Sequence, residues 1–386
     1  MTSTPAQPLA LEARALGPDL ARGFMLLFIA LANSHYFLRG SSVLGGYPRD
    51  GSGLDAAVIW LIATFVDGRA FPMFGLLFGY GVAQIVRRQR ERGPRAVRRL
   101  LWRRALVLVC VGFAHAVLLY VGDILSAYGM LLFVGAWIVG WRDRWLLTIA
   151  LVFFVLGASP SGGSATISTD PPDASMLPPN VITMLTERPP VSGVVAFGGP
   201  LGFVGPFSLG LWAGRRRVLE QPESHRALLR ATAVVGIGAA VLGAQPVALM
   251  LAGVVATPAP EVLRMIGPLH DATGLLGGLG YAAALCLIAA RVQGSPRPRP
   301  RSVAAIAAAG QRSMTCYLSQ SLVWALVFTP FLLDLSGTLT VATTAVLAAL
   351  TWLGTVLTAA WMRRTGRRGP FETLIRQITY RPGPSR

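Results

Sequence analysis

Two side chains capable of proton transfer, His115 and Asp123, lie on either side of a short break between apolar stretches of this sequence. The break predicts two successive antiparallel helices, with His115 about 7 Å from the turn and Asp123 close to it. A carboxylate beside an imidazole fixes its tautomer and raises its basicity, as general-base catalysis requires. Asp123 is also placed to cap the helix that follows it, and the sequence leaves both roles open.

Other polar residues interrupt the apolar stretches. A charged side chain near the centre of a bilayer costs about 2.5–3.5 kcal/mol or more, so such residues are functional candidates. The candidates, which fall near one predicted side of the membrane, are Asn33, His35, Asp67, His270 and Asp271.

Arg22 is a candidate of a different kind, because it lies at the opposite end of the first apolar stretch. It follows Asp19 by three positions, which places the two on one helix face as an ion pair. Arg22 either extends to the membrane surface or binds an anionic group, since a guanidinium fork fits phosphate.

The composition defines the elements that must position these residues. Hydrophobic residues make up 53% of the 386 and charged residues 13%, whereas a soluble chain carries roughly 25% charged residues. The apolar residues form blocks of about 20, enough to cross a bilayer as helix. We predict an all-α, polytopic membrane bundle of about ten transmembrane helices, with residues 1–386 forming a single integral membrane domain. The predicted spans lie near residues 20–38, 70–86, 101–120, 124–139, 145–158, 194–214, 227–256, 262–290, 303–333 and 338–362, with a short interfacial or re-entrant helix at 54–66.

The net charge of +18 comes entirely from arginine, since all 35 basic residues are arginine. They cluster between apolar blocks, which indicates membrane orientation rather than a nucleic-acid partner. We predict a multi-pass protein of the inner (plasma) membrane with both termini in the cytoplasm. Its predicted cytoplasmic parts are an N-terminal tail at 1–19, a basic loop at 87–100 and a C-terminal tail at 363–386. Segment 159–193, rich in Pro, Ser and Gly, is predicted to be an extracytoplasmic loop without helix or strand.

No metal or bound cofactor is predicted. The three cysteines lie in apolar blocks without CxxC spacing, and the chain lacks a P-loop, HExxH or GxSxG motif. Gly75, Gly79 and Gly81 indicate close helix packing rather than nucleotide binding. Gln311, Arg312 and Tyr317 are interpreted as anchors at the membrane surface. The oligomeric state is left open.

Five sequence blocks occur in an order that resembles the YeiB-like membrane protein family, of the DUF418 type (a domain of unknown function). The blocks are DLARGFMLLFIALAN, FGLLFGYG, GFAHAVLLYVGDILSAYGMLL, GQRSMTCYLSQS and GPFETLIRQITY. This resemblance covers most of the chain.

The chain is also distantly similar to the transmembrane acyltransferase superfamily, which includes lysosomal heparan glucosaminide N-acetyltransferase and bacterial sugar O-acyltransferases. There, an arginine on the first span is followed eleven positions later by a catalytic asparagine or histidine, as Arg22 is here by Asn33. The stretch FVDGRAFPMFGLLFGYG matches the aspartate and FPxF pattern of its second span. A histidine between those two blocks is missing here, since residues 40–66 contain none.

The resemblance and the polar residues together predict a membrane acyltransferase. A cytoplasmic co-substrate such as acyl-CoA would present its phosphates to Arg22 and the inner arginines. His115 or His35, oriented by Asp123, would deprotonate the acceptor, and Asn33 would donate to the oxyanion. The acceptor would be an envelope sugar, a lipid-linked glycan or a secreted metabolite. The residues predicted to bind substrate or donor are Arg22, Asp19, Asp67, His270 and Asp271.

A transporter for a small metabolite is the alternative, because the same histidines and aspartates would serve a proton relay. The sequence shows no inverted repeat and no matched pair of interrupted helices, features that many carriers have. A structural or regulatory membrane scaffold is the third hypothesis.

Overall fold

Helices form most of the chain in the computed structural model, which describes residues 15–161 and 163–380. The helices are α1 (Leu16–Ser34), α2 (Gly53–Phe65), α3 (Ala70–Arg88), α4 (Pro94–Leu118), α5 (Leu125–Ile138), α6 (Asp143–Ala158), α7 (Val181–Gly198), α8 (Pro200–Arg215), α9 (Arg226–Leu251), α10 (Pro260–Gln293), α11 (Arg301–Gln311), α12 (Ser313–Phe328), α13 (Val341–Arg364) and α14 (Pro370–Thr379). A two-stranded antiparallel hairpin, β1 (Val43–Leu44) and β2 (Tyr47–Pro48), follows α1. The predicted all-α membrane bundle is confirmed.

Helix α1 is central, packing against α3, α10, α11, α12 and α13. Its contact with α11 is a backbone-to-backbone approach. A Cβ on Gly23 would meet the Ile306 carbonyl, and a Cβ on Gly310 would meet the Asp19 carbonyl. Small residues allow helices in a membrane to approach this closely, because packing rather than hydrophobic burial holds them together.

Helices α3 and α8 meet through a second pair of glycines. A Cβ on Gly79 would meet the Phe207 carbonyl, and a Cβ on Gly210 would meet the Leu76 carbonyl. The packing role predicted for Gly79 is confirmed. Gly81 is different, since the atom nearest to an added Cβ is Nη2 of Arg22, 3.3 Å away.

The predicted count of ten spans is not confirmed. Within the described residues, six helical segments are long and apolar enough to cross a membrane, or seven if the bent pair α7 and α8, at 41°, forms one span. One of the six, Gly53–Arg88, joins α2 and α3. Helices α5, α6 and α12 have 14, 16 and 16 residues, fewer than the roughly 20 that a straight span requires. The predicted span 303–333 is two helices, α11 and α12, which meet at Arg312.

The prediction that segment 159–193 lacks helix is wrong. It contains a 3-10 turn at Ala165–Ile167 and most of α7. Asn180 caps the start of α7, because its side-chain oxygen accepts a hydrogen bond from Thr183 N at 2.9 Å. Pro189 and Pro190, two of the prolines that make this segment resemble a loop, lie inside α7. Proline is tolerated in membrane helices where neighbouring groups satisfy the backbone.

Arg188, on α7, is 1% exposed, and within the described residues its guanidinium donates only to backbone carbonyls. Its Nε donates to Ser175 O at 2.8 Å, its Nη1 to Val117 O at 3.2 Å and its Nη2 to Met176 O at 3.4 Å. Val117 lies in the last turn of α4, where carbonyls have no partner within the helix. Arg188 therefore ties segment 159–180 to the end of α4.

The basic segment at 87–100 is largely helical. Helix α3 continues to Arg88 and α4 begins at Pro94, so that a 3-10 turn at Arg90–Arg92 is the main connection. Proline is well suited to the first position of α4, because the N–H that it lacks would have no partner within the helix there. Helix α14 packs beside this segment, against α4 and α12. We call this end of the bundle the arginine-rich end, and the end that carries β1 and β2 the hairpin end.

Candidate functional site

A cavity of about 1120 Å³ enters the bundle from the arginine-rich end. Residues of α1, α3, α4, α5, α12 and α14 form its walls. Seven arginines line it: Arg22, Arg88, Arg92, Arg104, Arg312, Arg368 and Arg376. Glu372 is the one acidic residue among the described lining residues, so the lining carries seven positive charges and one negative. The cavity suits an anion with several negative charges.

Several buried polar atoms of the lining have no hydrogen-bonding partner among the described residues. They are Nε of Arg104, Nε of Arg312, Oε1 of Gln89, Oε1 of Gln311 and the hydroxyl of Tyr128. Leaving such a group unpaired costs about 1–3 kcal/mol. A polar ligand in the cavity would supply the missing partners.

The deeper part of the cavity is apolar and aromatic. The ring centroid of Tyr128 lies 4.6 Å from that of Phe74 and 4.8 Å from that of Phe78. Leu108 and Leu125 complete this wall. An arginine-lined entrance with an apolar interior fits an amphipathic ligand, with a charged head and a hydrocarbon portion.

His115 and Asp123 are in direct contact, as the sequence predicts. Nδ1 of His115 lies 2.8 Å from Oδ1 of Asp123, and both side chains are almost fully buried. Since a carboxylate accepts, Nδ1 carries the proton in neutral His115 and Nε2 keeps its lone pair. Nε2 has no partner in the described structure. This is the arrangement of an oriented general base.

Asp123 also caps α5, so both roles left open by the sequence are present. Its Oδ2 accepts from the backbone N–H of Ser126 at 3.0 Å. One carboxylate thus fixes the start of α5 and the orientation of His115.

Tyr317 connects this pair to the cavity. Its hydroxyl donates to Oδ1 of Asp123 at 3.4 Å, its ring centroid is 5.2 Å from that of His115, and it lines the cavity. The interpretation of Tyr317 and Arg312 as surface anchors is wrong, because they are 3% and 2% exposed. In the sequence, the one feature that could have indicated a buried role is that both are polar residues beside an apolar block.

A second polar cluster lies at the hairpin end. The rings of His35 and Tyr47 stack with centroids 3.8 Å apart, and the Tyr47 hydroxyl donates to Asp67 at 2.6 Å. Nη1 of Arg69 contacts the Asp67 carbonyl and lies 2.9 Å from Nε2 of His270. All five side chains are buried, so this cluster joins the hairpin to α3 and α10.

The predicted site residues therefore do not share one pocket. Arg22 lines the cavity, where its Nη1 lies 3.3 Å from Oδ1 of Asp19 and its Nη2 donates to Leu77 O at 3.3 Å. Leu77 lies roughly 10 Å along α3 from its start, which separates Arg22 from Asp67. The five residues predicted to bind substrate or donor are thus divided, with Asp67, His270 and Asp271 at the hairpin end.

The remaining predicted catalytic residues, Asn33 and His35, do not line the cavity, and within the described residues neither ring nitrogen of His35 has a hydrogen-bonding partner. Asn33 is half-buried near the end of α1, and its side chain makes no hydrogen bond within the described residues. His35 belongs to the hairpin-end cluster. Asp271 accepts from Thr166 at 3.1 Å and so binds segment 159–180.

Replacing Asp123 tests the cap separately from the contact with His115. We expect Asp123→Ala to lower the free energy of unfolding by about 1–2 kcal/mol through loss of the cap. Asp123→Asn retains an oxygen for Ser126 N and should cost less. Thermal unfolding of both variants in detergent measures the difference, and equal losses would show that the cap contributes little.

The apolar spans, the glycine contacts between helices and the buried polar residues define a polytopic helical membrane protein. Comparison with known proteins agrees with the resemblance noted in the sequence. The family described as "Protein of unknown function (DUF418)" matches residues 213–382 of the chain.

Two bacterial relatives are similar to the chain. One is the "Uncharacterized protein YxaH" of Bacillus subtilis (strain 168), which is 27% identical over 416 aligned residues and covers 97% of this chain and 96% of its own length. The other is the "Uncharacterized 39.9 kDa protein in amylase 3'region" of Bacillus acidopullulyticus, 36% identical over 121 residues, or 31% of this chain and 33% of the relative. The family match includes the α12 and α14 walls of the cavity but not His115 or Asp123.

Proposed function

We propose that the protein is a membrane acyltransferase that moves an acyl group from a phosphate-bearing thioester, of the acyl-CoA type, to a hydroxyl or amine. One observation carries this proposal. Tyr317 lines the arginine-rich, partly apolar cavity and also contacts a buried histidine–carboxylate pair. The arginine-rich end faces the cytoplasm in this proposal, because positive residues flank spans on that side. The protein then lies in the plasma membrane with both termini in the cytoplasm.

The charged entrance accounts for the donor. Guanidinium groups bind phosphate oxygens through paired, charge-assisted hydrogen bonds. Arg22, Arg104 and Arg312 hold the phosphates of the donor, and the aromatic wall around Tyr128 accommodates its apolar portion.

The chemical step uses His115 as the base. Nε2 of His115 takes the proton of the acceptor hydroxyl or amine, whose oxygen or nitrogen then bonds to the acyl carbon. The carbon–sulfur bond of the thioester breaks, and the proton on Nε2 passes to the departing thiolate. Asp123 stabilises the imidazolium that forms between these two transfers. The acceptor is an envelope sugar, a lipid-linked glycan or a secreted metabolite.

A comparison of lipids and glycans by mass spectrometry tests the proposal without a guess about the acceptor. A deletion strain should lose one acyl mass, which wild-type protein restores and His115→Ala does not. If the purified protein instead moves a solute across liposomes and no acyl mass changes, the transporter hypothesis replaces this one.

Arg104 provides a test of donor binding. Arg104→Gln should weaken the affinity for coenzyme A by roughly 10–100-fold, the value of one hydrogen bond to a charged group. Arg104 is a suitable choice because its buried Nε has no partner in the described structure. Isothermal titration calorimetry of the purified protein measures this affinity.

Arg230→Gln is the matched control, since it makes the same charge change at an exposed position of α9 outside the cavity lining. Equal loss of affinity in both variants would mean that coenzyme A responds to overall charge and not to the cavity.

A further inference from the structure

Glu372, on α14, binds the first turn of α12. Its Oε1 accepts from Met314 N at 2.9 Å and Thr315 N at 3.1 Å, and its Oε2 accepts from the Thr315 hydroxyl at 2.5 Å. The first N–H groups of a helix have no partner within it, and this end of the helix dipole is positive. A carboxylate of the protein thus occupies a position that suits an external anion.

Two buried arginine atoms point to a ligand at the same place. Arg312 immediately precedes α12 and is 2% exposed. Its Nη1 donates to Ala308 O at 3.2 Å and its Nη2 to Arg367 O at 2.6 Å, and its Nε has no partner in the part of the chain that the structure describes. Nε of Arg104 is buried and unpartnered in the same cavity.

We propose that the N-terminus of α12, with Arg312 and Arg104, is a phosphate subsite that Glu372 occupies until a phosphate-bearing ligand displaces it. This inference rests on the proposed function in taking the donor to carry phosphates. A phosphate monoester carries about −1.5 to −2 charges and three acceptor oxygens, against one charge and two oxygens for a carboxylate. The arginines and the helix dipole therefore favour the phosphate.

Displacement of Glu372 removes a main tie between α14 and α12. Ile375, one turn further along α14, is 4% exposed and lines the cavity. Loss of the Glu372 contacts loosens α14 and exposes Ile375 to water. Glu372 thus holds α14 against α12 and releases it when donor binds.

Binding of inorganic pyrophosphate and of coenzyme A to the purified full-length protein tests the competition. Glu372→Gln should bind both probes about tenfold more tightly than wild type, since it removes the competing charge. Glu223→Gln is the matched control, because its side chain is 73% exposed, lies outside the cavity lining and undergoes the same charge change. Affinity that rises equally in both variants, or that falls in Glu372→Gln, would overturn the proposal.

A second measurement leaves Glu372 in place. In an Ile375→Cys variant, a water-soluble maleimide should react faster when pyrophosphate is added, while the wild-type protein gives the background from its three cysteines. An unchanged or slower reaction would show that Glu372 is a permanent structural tie.

The two proposals fail in different ways. If pyrophosphate and coenzyme A bind neither wild type nor Glu372→Gln, the subsite is wrong. If they bind as expected but no acyl mass depends on the protein, the acyltransferase proposal fails and the subsite stands.

Discussion

Replacing His115 by alanine is expected to lower the rate of acyl transfer by roughly 10²–10⁴-fold, the usual contribution of a general base. The reason is that Nε2 of His115 is held by the 2.8 Å contact between Nδ1 and Asp123 and has no other partner in the described structure. Turnover of acyl-CoA by the purified protein measures the loss. Binding of coenzyme A should be nearly unchanged, because in the proposed complex arginines of the cavity, and not His115, contact its phosphates.

His225→Ala is the control for this prediction. His225 is another of the four histidines, and it contacts the Arg216 carbonyl outside the cavity lining. Asp123→Asn should also lower turnover, since it removes the charge that stabilises imidazolium. If His115→Ala retains wild-type turnover while folding normally, His115 is not the base and the chemical proposal fails.

Gly79→Ala is expected to lower the free energy of unfolding by about 3 kcal/mol, at the upper end of the usual cost of overpacking. The added Cβ would meet the Phe207 carbonyl, which is backbone and cannot rotate aside. Because α8 approaches α3 through Gly210 in the same way, the two helices would have to separate. Thermal unfolding in detergent, followed by circular dichroism, measures the effect.

Gly238→Ala provides the comparison, since both changes place alanine in a helix. An added Cβ at Gly238 has no neighbour within 4 Å, and alanine favours helix over glycine by roughly 0.5–1 kcal/mol. Gly238→Ala should therefore be neutral or stabilising. Equal destabilisation of both variants would show that the α3–α8 contact is not the cause.

The class of protein and the central polar pair were predictable from sequence. Long apolar blocks require a membrane environment whatever their exact bounds. His115 and Asp123 were predictable as a pair because only eight positions and one turn separate them, so local geometry sets their distance. The acyl donor and acceptor predicted with them stay predictions.

The partners of that pair were not predictable, because they come from the other half of the chain. Tyr317 is 194 positions from Asp123, and no periodicity reports which helices become neighbours. The roles of Glu372 and Arg312 were equally hard to predict, because both residues lie near chain segments that resemble surface loops. The count of ten spans is not confirmed, because hydrophobicity alone does not distinguish a short buried helix such as α12 from a full span.

The buried guanidinium of Arg188 has a mechanical consequence. It holds carbonyls of Ser175 and Met176 together with the carbonyl of Val117, two positions after His115. A displacement of the chain at Ser175 or Met176 is therefore expected to pull on the helix end that carries His115. The side chain of Arg188 would pass that displacement on to the imidazole.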